Sequence, residues 1–450
     1  MPEMVACTAV HPLNDGEVRL LGAIDVVTGS MSRVDVGGRK LLVDCGGGQG
    51  PDPKRGRIPV EATEADALLI THGHLDHIGS LPLLLDSGWD KPILCTRATY
   101  EITRISLEDS MRMARASDRE INGFLKQLER HVRTVAYDVA ATVHGLGGSI
   151  TFRDAGHILG SASLEIVTDK SRVIMSGDLG RPNSPILRDA NAVWRDDRPV
   201  DLVIMESTYG ARSHEHTHED IERTLERVVN DAWQRKAKVL IPAFAIGRTQ
   251  VLLWFLSDLV EKKRIPEVPV ALDTPMGLLV TETYKRAKRL YDRETLDRIQ
   301  HGDDPLDFES LFVVRRGKDS FRLRNTDGAC IIIAGSGMCT GGRIIGHLVD
   351  GLPDPETTVL FVGHQGVGSP GRRIQEVAEK GGTIRLDGEE LPVRARIETL
   401  RGLSAHMDRD ELLAWLGNIP NVRRVGLNHG EATAQAALLE YAKDKGVGAR

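Results

Sequence analysis

Four side chains of the kinds that bind transition metals lie within six consecutive residues of this chain. The segment His72-Gly73-His74-Leu75-Asp76-His77 directly follows the strand-like run ALLIT and precedes the helix-like run SLPLLLD. A turn at a strand end can direct such side chains into one cavity, and zinc prefers imidazole and carboxylate ligands in hydrolytic sites. Ligand-type residues at this spacing rarely coincide in an ordinary polar loop, so the segment predicts a metal site.

Three further candidate ligands each follow another strand-like run. They are His157 after SITFRDAG, Asp178 after RVIMSG and His429 after RRVGLN. The ends of adjacent strands meet at one rim of a sheet, so these side chains are expected to converge. A lone histidine more often has a structural role, and only the combination with the first segment favours a shared site.

The order of strand-like and helix-like segments predicts an α/β fold. Two long amphipathic stretches without proline, residues 99–131 and 220–234, are predicted helices. The predicted strands are residues 40–43, 67–71, 149–152, 172–176, 201–205 and 422–427.

A second α/β set begins near residue 209 and indicates a separate domain with an open sheet. After the helix from residue 220 it contains strands at 238–241, 269–272 and 330–334 and a helix at 249–261. We therefore expect three segments. Residues 1–208 would form the first part of one domain, residues 209–385 an inserted domain, and residues 386–450 the returning part of the first.

Charge and composition restrict the classes of function. The formal net charge of -6 argues against a protein that coats nucleic acid indiscriminately, although a local basic groove is compatible with it. The apolar runs are far shorter than the ~20 residues that cross a bilayer, and the N-terminal residues lack the features of a secretory signal. We expect a cytoplasmic protein without a membrane segment. The five cysteines are expected to be reduced and mostly buried: Cys7, Cys45, Cys95, Cys330 and Cys339.

Two sets of motifs resemble those of a known family. THGHLDHIGSLP, DAGHILGSAS and SGDLGR are similar to the successive motifs of the metallo-β-lactamase superfamily. ESTYG, PAFAIGRTQ, GSGMCTGGR, LSAHMD and NHGE are similar to motifs of its β-CASP branch, the nucleases of RNA processing. The likeness covers nearly the whole chain. It implies a metallo-β-lactamase αββα sandwich interrupted by an inserted open-sheet α/β domain, the β-CASP domain.

The resemblance further implies a site for two zinc ions. Two ions about 3.5–4 Å apart would share a hydroxide, lower its pKa and neutralise phosphate oxygens during in-line attack. Asp44 in LLVDCG matches the first acidic motif of the family and would orient a ligand histidine. A turn aspartate is an equally good interpretation of Asp44. The implied ligands are His72, His74 and His157 for one ion and Asp76, His77 and His429 for the other, with Asp178 as the bridge.

A phosphodiester hydrolase also needs a group that assists the departing alkoxide. In the β-CASP pattern Glu206 of ESTYG pairs with His406 of LSAHMD, and the resemblance implies that His406 is the general acid. A carboxylate partner would keep this histidine protonated near neutral pH. The alternative is that His406 only positions its neighbours and that Glu206 fixes a loop. With Asp76 and Asp178, this pair forms the expected catalytic set.

Glycine-rich segments with arginine are candidate phosphate-binding loops. In GSGMCTGGR, backbone N–H groups near Ser336 and Gly337 could approach phosphates, with Arg343 supplying charge. Arg248 in GRTQ is a further candidate because its planar guanidinium suits phosphate oxygens. A tight loop between strand and helix explains the glycine-rich segment equally well.

These inferences predict a zinc-dependent ribonuclease that hydrolyses single-stranded RNA, as an endonuclease and also from the 5′ end. A narrow zinc site between two domains would not readily admit a duplex. A DNA nuclease of the related repair branch is one alternative. Repair members of the family tend to carry valine where His406 stands here, which favours RNA. A non-catalytic subunit is another, although every expected ligand is present. A homodimer is a further expectation.

Overall fold

Contacts divide the chain into two compact units. The computed structural model describes residues 2–5, 9–48 and 57–447. One unit comprises Met1–Ser213 with Ala405–Arg450, and the other comprises His214–Ser404. The sequence predicts that the chain returns to the first domain at residue 386, whereas the first unit resumes at Ala405. Strand residues 396–399 pair within the sheet of the second unit, which keeps residues 386–404 with the insertion.

The elements are labelled in chain order. Up to residue 213 the strands are β1 (Glu3–Val5), β2 (Val10–Pro12), β3 (Glu17–Leu20), β4 (Ser32–Val36), β5 (Arg39–Val43), β6 (Ala67–Leu69), β7 (Ile93–Thr96), β8 (Val132–Val135), β9 (Ala140–Ala141), β10 (Gly148–Asp154), β11 (Ala162–Thr168), β12 (Arg172–Met175) and β13 (Leu202–Glu206). The helices of this part are α1 (Val60–Thr63), α2 (Leu75–Ile78), α3 (Leu81–Asp86), α4 (Arg97–Met113) and α5 (Asp118–His131).

The second unit follows, and then the chain returns to the first. The second unit contains α6 (His218–Arg235), β14 (Lys238–Pro242), α7 (Arg248–Glu261), β15 (Val270–Asp273), α8 (Pro275–Arg286), a 3-10 turn (Lys288–Leu290), α9 (Arg293–Gln300), β16 (Leu311–Val313), α10 (Gly317–Arg324), β17 (Cys330–Ala334), α11 (Ile344–Gly351), β18 (Thr358–Phe361), α12 (Pro370–Lys380), β19 (Thr383–Leu386), β20 (Glu389–Pro392) and β21 (Arg396–Thr399). The returning part contains α13 (Arg409–Gly417), β22 (Arg424–Asn428) and α14 (Ala432–Asp444).

The first unit consists of two stacked sheets with helices on their outer faces. The sheets have the orders β1-β22-β13-β12-β11-β10-β9 and β2-β3-β4-β5-β6-β7-β8. In β5, Leu41 and Val43 belong to the core between the sheets, whereas Leu42 packs with residues of α3, α4 and α5. In β12, Val173 faces the same central core and Ile174 packs with residues of α13 and α14. Alternation along each strand thus supplies both faces of each sheet, and the predicted αββα sandwich is confirmed.

The second unit is built on a parallel sheet. Its strands have the order β16-β15-β17-β14-β18-β21, and β19 and β20 form a separate hairpin. β17 is buried at every position, which is the pattern of a parallel strand covered on both faces. The carboxyl ends of parallel strands share one edge, so the loops after β14, β17 and β18 meet there.

One predicted helix is two helices in the structure. Residues 99–131 have a continuous amphipathic pattern, but α4 ends at Met113 and α5 begins at Asp118. Arg115 between them has a left-handed backbone with φ of 63°. Ser117 then caps α5 in a capping box with Glu120, a start signal that the hydrophobic pattern alone does not reveal.

The remaining predicted strands and helices lie within two residues of their expected bounds. Every helix in the described ranges is too short or too polar to cross a membrane. Four of the cysteines are buried free thiols, as expected: Cys45, Cys95, Cys330 and Cys339. The expectation for Cys7 lies outside the described residues.

Candidate metal centre and proton donor

The candidate ligands lie at the carboxyl ends of neighbouring strands in the first unit. Strands β12, β13 and β22 are adjacent and parallel, and Asp178, Glu206 and His429 stand at or just after their ends. In the other sheet β5 and β6 are parallel neighbours, and they lead into Asp44 and the segment 72–77. Because such strand ends share an edge, residues far apart in sequence meet in one place.

Three imidazole nitrogens converge in the first half of the site. His74 Nδ1 lies 3.2 Å from His72 Nε2 and 3.2 Å from His157 Nε2. Three neutral rings in this arrangement cannot all be hydrogen-bonded to one another, because each hydrogen bond needs one donor and one acceptor. Two nitrogens that bind one tetrahedral zinc at about 2.0–2.1 Å lie about 3.3 Å apart, so the observed spacing fits a metal. The acidic group of this half is Asp178, whose Oδ2 lies 3.5 Å from His72 Nε2 and 3.6 Å from His157 Nε2.

The second half of the site contains His77, His429 and Asp76. The Nε2 atoms of His77 and His429 are 3.2 Å apart, and His429 Nε2 lies 3.5 Å from Asp76 Oδ2. Asp178 reaches this half with its other oxygen, since its Oδ1 lies 3.3 Å from His77 Nε2. Both Asp178 oxygens are buried without a hydrogen-bond partner among the described residues. A buried carboxylate of this kind is costly unless cations offset its charge, so Asp178 fits a bridge between two ions.

Electrostatics differ between the two halves. Burial lowers the pKa of His72 and His157 well below the usual range and lowers the pKa of His74 to about 4, so these rings are neutral. Neutral imidazole is the form that binds a metal. Burial also acts to lower the pKa of His77. The carboxylates of Asp178 and Asp44 have a larger opposite effect, so the pKa of His77 is raised. Cation binding at the second half therefore competes with a proton.

Asp44 fixes the orientation of two of the candidate ligand histidines. Its Oδ2 accepts a hydrogen bond from His77 Nδ1 at 2.7 Å, which leaves His77 Nε2 to face Asp178. It also accepts from the backbone N–H and the hydroxyl of Thr71, both at 2.8 Å. Thr71 Oγ1 lies 3.1 Å from His72 Nδ1 and so connects Asp44 to a second ligand. These contacts favour the orienting interpretation of Asp44 over a turn aspartate. Sequence reasoning missed Thr71, although it directly precedes the first histidine.

Buried Glu206 and partly exposed His406 form a pair beside the candidate ligands. Glu206 Oε1 lies 3.2 Å from His406 Nδ1 and accepts a hydrogen bond from the Leu179 N–H at 2.7 Å. The His406 side chain is 20% exposed, and its Nδ1 lies 3.9 Å from Asp178 Oδ2. Burial would lower the pKa of His406, but the Glu206 carboxylate outweighs it and raises the pKa to about 9. His406 is therefore protonated at neutral pH and partly open to solvent, as a proton donor requires.

Arg343 does not have the contacts expected of a free phosphate ligand. Its guanidinium donates to Asp273 Oδ1 at 2.6 Å and to the carbonyl oxygens of Val314 at 2.7 Å and Arg315 at 2.9 Å. Asp273 is fully buried, and its charge is offset by Arg343 together with His347, whose Nε2 lies 2.6 Å from Asp273 Oδ2. These contacts support a structural role for Arg343, and its role as a phosphate ligand stays a prediction.

The other expected substrate-binding residues lie in loops at the carboxyl edge of the parallel sheet. Arg248 begins α7 and donates to the carbonyl oxygen of Val362. Ser336 Oγ accepts from the Thr340 N–H at 2.9 Å, which closes the loop after β17. Gly337 belongs to the same loop. These residues lie in the second unit, whereas the candidate metal ligands belong to the first.

Comparisons with known families match three parts of the chain. Residues 24–243 match the metallo-beta-lactamase superfamily. Residues 249–374 match the Beta-Casp domain, and residues 390–450 match the Zn-dependent metallo-hydrolase RNA specificity domain.

Similar proteins include a ribonuclease from Thermus thermophilus, 37% identical over 93% of this chain and 94% of that protein. The transcription termination factor FttA of Methanocaldococcus jannaschii is 30% identical over 94% of this chain and 68% of its own length. An RNase J-like protein of the same organism is 27% identical over 89% of this chain and 90% of its own. A crystal structure of a protein of unknown function from Enterococcus faecalis has the same fold, with a TM-score of 0.56 at 12% identity over 93% of this chain and 95% of that chain.

Proposed function

We propose that this chain, which belongs to the β-CASP branch of metallo-β-lactamase-fold RNA-processing nucleases, is a zinc-dependent ribonuclease. Members of this fold are metal-dependent hydrolases, and this chain is one of them. The observation that supports the proposal best is Asp178, whose two oxygens face two separate groups of ligands.

One zinc would be held by His72, His74 and His157 and a second by Asp76, His77 and His429, and Asp178 would serve both. Bound zinc would supply Lewis acidity, which lowers the pKa of a water molecule and offsets charge on phosphate oxygens. The chain itself holds the ligand rings in place. Asp44 and Thr71 orient His77 and His72, and the Ala405 carbonyl oxygen lies 3.1 Å from His157 Nδ1 and fixes that ring.

Proton transfer to the leaving group is the proposed role of His406. Glu206 keeps the ring protonated, and the partial exposure of the ring gives it access to a bound phosphodiester. After it donates its proton to the departing alkoxide, the ring can regain one from solvent. Glu206 thus acts through His406 rather than on the substrate.

We propose single-stranded RNA as the substrate, cut by an endonuclease activity with additional 5′–3′ exonuclease activity. The ligand side chains are recessed, which suits a strand that can bring one phosphate at a time into the site. The recessed ligands, with side chains at most 4% exposed, are His72, His77, His157, Asp178 and His429.

A cytoplasmic location and a homodimer complete the proposal. Four buried free thiols are compatible with a reducing compartment. Sedimentation equilibrium of the purified chain tests the dimer, and a single species at the mass of one chain would contradict it.

Cleavage of 5′-labelled and internally labelled single-stranded RNA by the zinc-loaded protein tests the activity. We expect internal cuts by wild type, none by His77→Ala or His406→Ala, and normal cleavage by His144→Ala, which changes an exposed histidine of the same unit. Bound zinc with intact RNA would favour a non-catalytic role. Equal cleavage of matched DNA would favour the DNA-repair alternative.

A further inference from the structure

An exposed phenylalanine stands at the carboxyl edge of the parallel sheet in the second unit. Phe244 follows β14, and its side chain is 41% exposed. Strand β14 lies between β17 and β18, so the loops after all three strands meet around this residue. We propose that Phe244 is a stacking site for an unpaired nucleobase of RNA. The inference rests on the proposed function for its substrate class.

The backbone holds Phe244 in a fixed position. Its carbonyl oxygen accepts hydrogen bonds from the N–H of Thr249 at 3.2 Å and from the Thr249 hydroxyl at 2.7 Å. Thr249 is fully buried in the first turn of α7. The preceding residue, Ala243, donates to the Ala334 carbonyl oxygen of β17 at 3.0 Å. The exposure of the ring is therefore built into the loop.

Two glycines, Gly337 and Gly363, lie against one edge of the Phe244 ring. A Cβ atom at Gly337 would lie 2.7 Å from Phe244 Cδ2, and one at Gly363 would lie 3.6 Å from Phe244 Cε2. The Gln365 side-chain amide donates to the carbonyl oxygens of both glycines, at 2.9 and 3.1 Å, and this side chain is buried. The loops after β17 and β18 are thus tied together beside the ring, which leaves its exposed part for a ligand.

A guanidinium borders one of the two glycines that flank the ring. Arg248 donates to the Val362 carbonyl oxygen, and its Nη1 would lie 3.4 Å from a Cβ at Gly363, the glycine that also borders Phe244. An aromatic ring beside a guanidinium matches the two parts of a nucleotide, because the base stacks and the phosphate pairs with the charge.

Stacking on Phe244 also determines which form of RNA the site binds. Every base has a π-face, so stacking tolerates any sequence, whereas a base inside a duplex is already stacked. An aromatic residue here would therefore favour single strands without demanding a sequence. Isolated exposed apolar residues are common, and Phe312, 39% exposed on edge strand β16, offers a matched control.

The test measures KM and kcat of the zinc-loaded full chain on a short single-stranded RNA. We expect Phe244→Ala to raise KM by about 5- to 150-fold, the usual effect of losing one stacked base, with little change in kcat. Phe244→Tyr should keep KM near the wild-type value, as should Phe312→Ala.

A series of RNAs with one abasic nucleotide then identifies the stacked base. At one position the abasic nucleotide should raise the KM of wild type as much as the Phe244→Ala substitution does. In the Phe244→Ala variant the same abasic nucleotide should raise KM no further. Unchanged KM in Phe244→Ala, an equal defect in Phe244→Tyr, or additive effects at every position would overturn the proposal. If the chain cuts no RNA, fluorescence anisotropy gives the same comparison through Kd, so failure of the nuclease activity and failure of stacking are separable.

Discussion

Replacing Glu206 by glutamine should move the alkaline limb of the pH–rate profile. The carboxylate lies 3.2 Å from His406 Nδ1 and raises the pKa of His406 from its ordinary 6.5 to about 9, against the opposing effect of burial. Glutamine keeps the shape of the side chain and an oxygen for the Leu179 N–H but removes the charge. The largest effect that raises the pKa of His406 is then lost, and burial opposes only the weaker effects of Asp178 and Tyr209, so the pKa falls back toward its ordinary 6.5.

The size of the effect follows from the protonated fraction. At a pH of about 7.5, a group with a pKa of about 9 is ~97% protonated, and one with a pKa of 6.5 is ~9% protonated. Because the protonated ring is the proposed donor, activity is lost as pH rises through the pKa. Glu206→Gln should therefore lose about tenfold in kcat near a pH of about 7.5 and recover as the pH falls.

The assay is kcat of RNA cleavage by the zinc-loaded protein from pH ~5.5 to ~9.5. Glu61→Gln, which removes an exposed carboxylate of the same unit, is the control and should match wild type. An equal loss at every pH, with the alkaline limb unmoved, would show that Glu206 does not set the pKa of His406 and only fixes a loop.

Two further substitutions test the contacts of Asp44 and a buried ion-pair network of the first unit. Asp44→Asn removes the charge that orients His77 and should weaken zinc retention by about 10- to 100-fold in competition with a chelator, and unchanged retention would contradict the orienting role. Glu165→Gln leaves Arg153 and Arg172 buried without their shared carboxylate, and urea unfolding should show a loss of about 3–5 kcal/mol. A loss below about 1 kcal/mol would show that the two arginines find other partners.

The fold class and the convergence of the candidate ligands could be predicted because their signals are local. Each candidate ligand follows a strand, and a strand is visible as a short run of apolar residues. The ends of neighbouring strands then meet, which places Asp178 and His429 beside the segment 72–77.

Contacts between distant residues could not be predicted in this way. Arg343 stands in a glycine-rich segment that suits phosphate, but its partner Asp273 lies 70 residues earlier on a neighbouring strand. The return from the inserted unit depends on the pairing of β18 with β21, which no local pattern encodes. In both cases the order of strands in the sheet decides the outcome.

A zinc titration of RNA cleavage is the decisive test of the two-zinc ribonuclease proposal. The chelated full chain is mixed with labelled single-stranded RNA or DNA of the same sequence, and cleavage is followed as zinc is added. We expect RNA cleavage to appear as the second equivalent of zinc binds and the DNA to stay intact. Full occupancy by zinc without RNA cleavage, or equal cleavage of the DNA, would contradict this proposal.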